Sequence, residues 1–228
     1  MGLSFRSALL VIAGIMMLVT LSMVFLWVPT EVTMGVVQRI FYFHVPIALV
    51  GFLAVGVVFV ASVAYLITRS PRWDAVAYAS AEIGVLFTSL MLLTGILWSK
   101  PVWGVWWDWS PRLTTSLILW FIYVAYLMLR AYAPKGARGS RYAAILGIIG
   151  FIDVPIVYMS TKWWRDVHPE QMIGPGAPAQ ALDPSMNLTL MVSMLTFIVL
   201  FAAMTVERYH LRRTEEDAER MLLAHEAR

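Results

Sequence analysis

The sequence predicts an all-α membrane protein of six transmembrane helices, with both termini in the cytoplasm. Three observations predict it. The 228 residues are 60% hydrophobic and only 14% charged, whereas soluble domains carry about 25% charged residues. Mean hydropathy is +0.74. Six segments also have roughly the 20 apolar residues that a helix needs to cross the hydrocarbon core: 8–28, 45–67, 75–98, 113–133, 142–160 and 186–206.

The first segment follows Arg6. It is too long for a signal-peptide core and no A-x-A pattern follows it, so it reads as a retained helix. The second opens at Pro46, which suits a first helical turn. The third carries Glu82 in its first half, where it can snorkel or meet a partner subunit. The fifth carries Asp153 and Pro155. An intramembrane carboxylate is costly and should face a partner or a cavity. Gly51, Gly56 and Gly84 suit close helix packing. The length accommodates one polytopic domain, 1–206, with a Trp-rich loop at 98–112. The tail, 207–228, mixes Glu and Arg at helical spacing and reads as a solvated cytoplasmic helix. There is no internal repeat.

Orientation follows from the basic residues. Arg6, Arg69, Arg72, Arg130, Lys135, Arg138, Arg141, Arg208, Arg212, Arg213, Arg220 and Arg228 fall on one side. Arg39, Lys100, Arg112, Lys162 and Arg165 fall on the other, so 12 of the 17 are on the first, cytoplasmic side. The loops 29–44, 99–112 and 161–185 then face outward. In the first of these, Val36, Val37, Ile40, Phe41 and His44 have helical spacing and predict a short amphipathic helix along the membrane surface. The third breaks into Gly174-Pro175-Gly176-Ala177-Pro178 and should be irregular there. The net charge of +3 is modest and gives no argument for nucleic acid. With no cysteine, the chain has no disulfide, thiol relay or thioether of its own to offer.

Tryptophan is the unusual feature. Trp98, Trp103, Trp106, Trp107 and Trp109 fall within twelve residues. With Trp27, Trp163 and Trp164, eight of the ten tryptophans are predicted at the outer face. An interfacial aromatic belt explains Trp27, Trp73, Trp98 and Trp163, but not five in one loop. A dense aromatic platform suits a large, flat, mostly apolar ligand, because stacked rings bury much area. His44 and His168 lie in the loops on either side of this platform, and His168 follows Trp164 by four residues. Each alone reads as a surface or hydrogen-bonded histidine. As a pair, they suit axial ligation of haem iron from opposite sides of a porphyrin. Two histidines without cysteine are a thin ligand set for zinc. His210 and His225 lie in the polar tail. Haem propionates need donors, and Arg39 and Arg112 are placed to supply the planar fork that carboxylates favour. The plainer alternative is interfacial snorkelling. Asp108 is placed to orient a ligand or to cap the following helix. No side chain stands out as a catalyst.

The segment Trp103-Gly104-Val105-Trp106-Trp107-Asp108-Trp109-Ser110-Pro111-Arg112-Leu113-Thr114 resembles the Trp-rich signature of the haem-handling protein superfamily. Within it the chain resembles the CcmC family, the haem exporter protein C of bacterial (system I) cytochrome c maturation. Gln38-Arg39-Ile40-Phe41-Tyr42-Phe43-His44-Val45-Pro46, the stretch 95–103, Asp153-Val154-Pro155-Ile156-Val157, and Trp163-Trp164 with His168 carry the likeness, which covers nearly all six spans. The resemblance implies noncovalent haem b at the outer face of the bacterial inner membrane. His44 and His168 would be its axial ligands, and the loop with Trp103, Trp106, Trp107 and Trp109 would cradle it; Trp164, Arg39 and Arg112 join this set on the residue reading above. It also implies delivery to a periplasmic, CcmE-like haem chaperone. A small single-span CcmD-like subunit and CcmA- and CcmB-like ABC transporter subunits would complete the assembly. Ser110 stands where the family often has an acid, and Asp108 lies two residues earlier, so the acid's geometry here must differ.

Three other readings predict different patterns. An electron-transfer cytochrome keeps its histidines inside the bundle. A transporter shows repeats and helices broken at the midplane. The related system II haem protein has more spans and more histidines.

Overall fold

A computed structural model describes residues 4–134, 136–164 and 182–226. Among them there is no strand. The helices are α1 (Phe5–Ser22, extended by a π turn over Met23–Trp27), α2 (Phe41–Thr68), α3 (Pro71–Trp103), α4 (Pro111–Tyr132), α5 (Ala137–Phe151), α6 (Asp153–Trp163) and α7 (Pro184–Glu226). Six stretches are long and apolar enough to cross a membrane, α5 and α6 together forming the fifth. Successive spans alternate in direction. The connections 28–40 and 104–110 therefore share one end of the bundle, called here the loop end. Both termini share the other, the terminal end.

The α2–α3 hairpin is the centre. α7 packs on both helices of the hairpin and carries α1, α5 packs on α2 and α4 on α3, and α6 packs on α4 and α5. In lipid, helices gain little from hydrophobic burial against each other, so close packing of small residues and interhelical hydrogen bonds matter more. Both are visible. A Cβ added at Gly51 would lie 3.1 Å from Thr88 Cγ2, and one at Gly84 would lie 3.1 Å from Ala54 Cβ. Gly147 of α5 fits against Ser62 and Val58 of α2. Thr20 and Thr196 join α1 to α7 at 2.7 Å, and Trp120 Nε1 of α4 donates to Ser89 Oγ of α3 at 2.8 Å.

Charges close the terminal end. Arg130 Nη1 and Nη2 donate to the two Asp74 oxygens at 2.8 and 2.9 Å, and Ser140 Oγ donates to the same carboxylate at 2.9 Å. This cluster ties α3, α4 and α5 together. Glu82 is paired with Arg208 of α7, whose Nη2 donates at 3.1 Å. Arg6 pairs with Glu207, binding α1 to α7.

Four sequence expectations change in detail. The predicted surface helix at 36–44 is only a 3-10 turn, Val36–Ile40. α2 begins at Phe41, so His44 stands in the first turn of a membrane helix. The Trp-rich loop is shorter than 98–112. α3 runs on through Trp103 and stops where Gly104 adopts φ +79°, a left-handed cap that favours glycine. The fifth span is two helices broken at Ile152, with Asp153 buried at the start of α6. Pro155 explains this: it lacks the N–H that would bond back to Phe151, and its ring crowds that carbonyl. Finally, the 206/207 boundary falls inside α7, which continues unbroken to Glu226. Lys135, Arg228 and the 174–178 stretch lie outside the described residues.

At the loop end, two exposed carboxylates organise turns. Glu31 accepts from the Met34 and Thr33 backbone N–H groups, which hold its carboxyl below its ordinary range. Asp183 accepts from the Ser185 hydroxyl and from its N–H at 2.8 Å, with the same effect, just before α7 begins.

Candidate functional site

A cleft opens at the loop end between α2, α3, α4, α6 and the 104–110 loop, with about 830 Å³ of space not filled by atoms, part of it continuous with the outside. Its deep part is apolar: Phe52, Met91, Leu92, Ile96 and Val157. Its upper part gathers His44, Trp98, Trp103, Trp107, Asp108, Ser110 and Arg112.

Each side chain is placed by an identifiable local cause. His44 projects from the first turn of α2 toward α3, where its Nδ1 lies 2.8 Å from Thr94 Oγ1. Its ring meets Trp98 edge-on, with centroids 5.7 Å apart at 65°. Phe41 packs on the other part of Trp98 at 6.1 Å. The short loop is pinned back on α3 by two bonds: Ser99 Oγ donates to Val105 O at 2.8 Å, and Lys100 Nζ donates to Gly104 O at 2.7 Å. Asp108 Oδ1 accepts from Ser110 N–H at 3.3 Å immediately before α4. It therefore shapes the turn into that helix while also facing the cleft. Pro111 at the first position of α4 then sets Arg112 and Ser116 into the cleft wall.

The cleft holds polar atoms with nothing to bond to. Trp98 Nε1, Trp107 Nε1 and Ser110 Oγ are buried and have no hydrogen-bond partner among the described residues. An unmet buried donor costs about 1–3 kcal/mol. Together with the Arg112 guanidinium, such donors in an aromatic cleft suit a flat ligand bearing carboxylates.

Of the residues singled out from sequence, His44, Trp103, Trp107 and Arg112 line this one cleft. Trp106 and Trp109 are more exposed on the same loop. Lys100 Nζ lies 5.9 Å from the Trp106 ring, and Trp109 meets Trp107 edge-on at 5.7 Å. Arg39 turns to α1, its guanidinium 6.0 Å from the Phe25 ring. Trp164 is exposed at the end of α6, edge-on to Trp163 at 5.8 Å. His168 and Arg165 lie outside the described residues. No group of three or more His, Cys, Asp or Glu suited to a metal ion occurs among those described. Sequence reasoning gave no role to Thr94 or Gly95, and assigned Trp98 to the interfacial belt, although it is only 8% exposed. The available signal was spacing: Trp98 follows Thr94 by four residues and Gly95 by three, which puts it one turn on from both along α3.

These features define a class: a multi-pass helical membrane protein with a histidine-bearing aromatic cleft at one end of its bundle. The chain belongs to the family described as "Heme exporter protein C", whose profile matches residues 3–224. It is 37% identical to the heme exporter protein C of Bradyrhizobium diazoefficiens over 77% of this chain and 66% of that protein, just under two thirds of its length. It is 34% identical to that of Haemophilus influenzae over 84% of this chain and 78% of the relative. The Escherichia coli K12 protein of the same name is 34% identical over 79% of this chain and 72% of its own.

Proposed function

We propose that this chain takes part in haem transport for cytochrome c maturation, binding haem b noncovalently in the loop-end cleft and delivering it to a membrane-anchored haem chaperone. The observation that carries the reading is the convergence of one imidazole, several indoles and a guanidinium on a single cleft beside an apolar floor. The unmet N–H and O–H groups of Trp107 and Ser110, with Arg112, are the donors that propionates need. His44 and His168 are proposed as the axial ligands. Trp103, Trp106, Trp107, Trp109 and Trp164 would bury the macrocycle and Arg39 would assist from the rim. The basic residues concentrated at the terminal end favour a cytoplasmic location for that end, and so an outward-facing cleft.

The chain's own work in this reading is positional. It holds the iron, excludes water from the apolar floor and presents an edge of the ligand at the exposed Trp106–Trp109 rim. Any bond later made to the chaperone would draw on the haem vinyl groups themselves. A small single-span subunit and an ABC transporter pair are the proposed companions.

The test is the visible spectrum of the purified protein, with pyridine extraction, for the wild type, His44→Ala and His168→Ala. A low-spin haem b spectrum lost or turned high-spin in both variants is the expected result. A wild type without haem from haem-replete cells, or a spectrum indifferent to both substitutions, would sink the reading.

A further inference from the structure

The seat of the His44 ring contains more than the ring itself. Thr94 Oγ1 stands 2.8 Å from His44 Nδ1. The same oxygen lies 2.7 Å from the Leu90 carbonyl and 3.2 Å from the Met91 carbonyl, one turn back on α3. A threonine hydroxyl has a single proton. Carbonyls can only accept, and the shortest of these contacts, to Leu90 O, takes that proton if it is donated to the helix backbone. With its proton on a carbonyl, the oxygen acts toward His44 as an acceptor, and the N–H in this contact then belongs to His44 Nδ1. A neutral imidazole protonated at Nδ1 carries its lone pair on Nε2. A hydroxyl that is already donating is also a better acceptor, because hydrogen bonds in a chain polarise one another.

The other two sides of the ring are fixed as well. A Cβ at Gly95 would lie 3.2 Å from His44 Cε1 and 3.9 Å from Nδ1. The imidazole therefore rests close to the α3 backbone, in space that a Cβ at residue 95 would crowd. Trp98 closes the far side, edge-on at 5.7 Å. Thr94, Gly95 and Trp98 of α3 thus set the position and tilt of one side chain.

We propose that Thr94 is a positioning residue that keeps the proton on His44 Nδ1, so that Nε2 is the nitrogen offered to iron, and that Gly95 supplies the slot in which the ring takes this pose. The assignment rests on the reading of His44 as a haem ligand. Partners of this kind on a ligating histidine are typically worth about 10–100-fold in metal affinity.

The experiment uses the full-length chain in nanodiscs, labelled with [¹⁵N]histidine, first without haem and then titrated with it. The His44 signal is the one of four histidine signals that vanishes in His44→Ala. In the haem-free wild type it should show the Nδ1–H tautomer. Thr94→Val, which keeps the shape and loses the hydroxyl, should shift it toward Nε2–H and weaken haem binding by about 10–100-fold. Thr94→Ser should restore both the tautomer and the affinity. Gly95→Ala should displace the ring signal and weaken binding in the same direction. An Nε2–H tautomer in the wild type, or a Thr94→Val protein with unchanged tautomer and affinity, overturns the assignment of Thr94. If His44→Ala instead binds haem with an unchanged spectrum, the ligand reading itself fails, and this shows independently of the tautomer measured without haem.

Discussion

Breaking the Asp74–Arg130 pair should destabilise the protein without altering its cleft. The two side chains are 11% and 6% exposed, and they are joined by two charge-assisted bonds of 2.8 and 2.9 Å. Asp74→Ala leaves the guanidinium facing neutral groups, Ser140 Oγ at 3.0 Å and the Tyr78 ring at 5.3 Å among them. Removing one partner of a buried pair costs about 3–5 kcal/mol, because the remaining charge is uncompensated. For a chain of this size each kcal/mol shifts Tm by about 2–4 °C, so the midpoint should fall by about 6–20 °C. The assay is thermal unfolding in a defined detergent for Asp74→Ala, Arg130→Met and the double variant. The double variant should recover much of the loss, since replacing both charges by apolar groups is often close to neutral. The folded fraction of each should keep the wild-type haem spectrum, because the cluster and the cleft sit at opposite ends of the bundle. A loss of about 1 kcal/mol or less, the range of exposed pairs, would refute the burial argument. A double variant as unstable as Asp74→Ala would show that packing, not charge, is at stake.

Gly147→Ala should cost about 1–3 kcal/mol by overpacking, since its Cβ would lie 2.9 Å from Ser62 Oγ and 3.0 Å from Val58 Cγ1. Gly14→Ala on the outer face of α1 meets nothing within 4 Å and should be neutral or stabilising by up to about 1 kcal/mol; the same unfolding assay compares the two. Trp107→Phe removes the unmet cleft N–H and should lower haem affinity by about tenfold, in line with a hydrogen bond to a charged group. Trp106→Phe should change it less, which equilibrium titration will show. The Glu31 turn should loosen in acid. Its folded pKa is lowered, so its contribution is complete above the ordinary glutamate pKa and is lost as pH falls through the depressed value. Amide exchange at Thr33 and Met34 should accelerate over that acid window in the wild type, and should be fast and pH-insensitive there in Glu31→Gln once the intrinsic rate is subtracted.

Spacing and composition were enough to determine the number of spans and the helical class. Each of these is a local property: twenty apolar residues cross a bilayer whatever their neighbours, and indoles clustered in sequence stay clustered in space. Gly51 and Gly84 were likewise legible as packing residues, because small residues let membrane helices approach closely. The sequence could not determine which tryptophans turn inward. Trp98 looked like one more interfacial ring, yet the contact between α2 and α3 buries it against Phe41 and His44. The partners of Glu82 and Asp74 lie 126 and 56 residues away, separations that no periodicity encodes. The role of Thr94 was invisible for the same reason. A threonine within an apolar span is ordinary until the fold brings a histidine from the preceding helix, 50 residues earlier, to 2.8 Å from its hydroxyl. Only the register of two antiparallel helices decides that contact, and register is set by how whole faces pack.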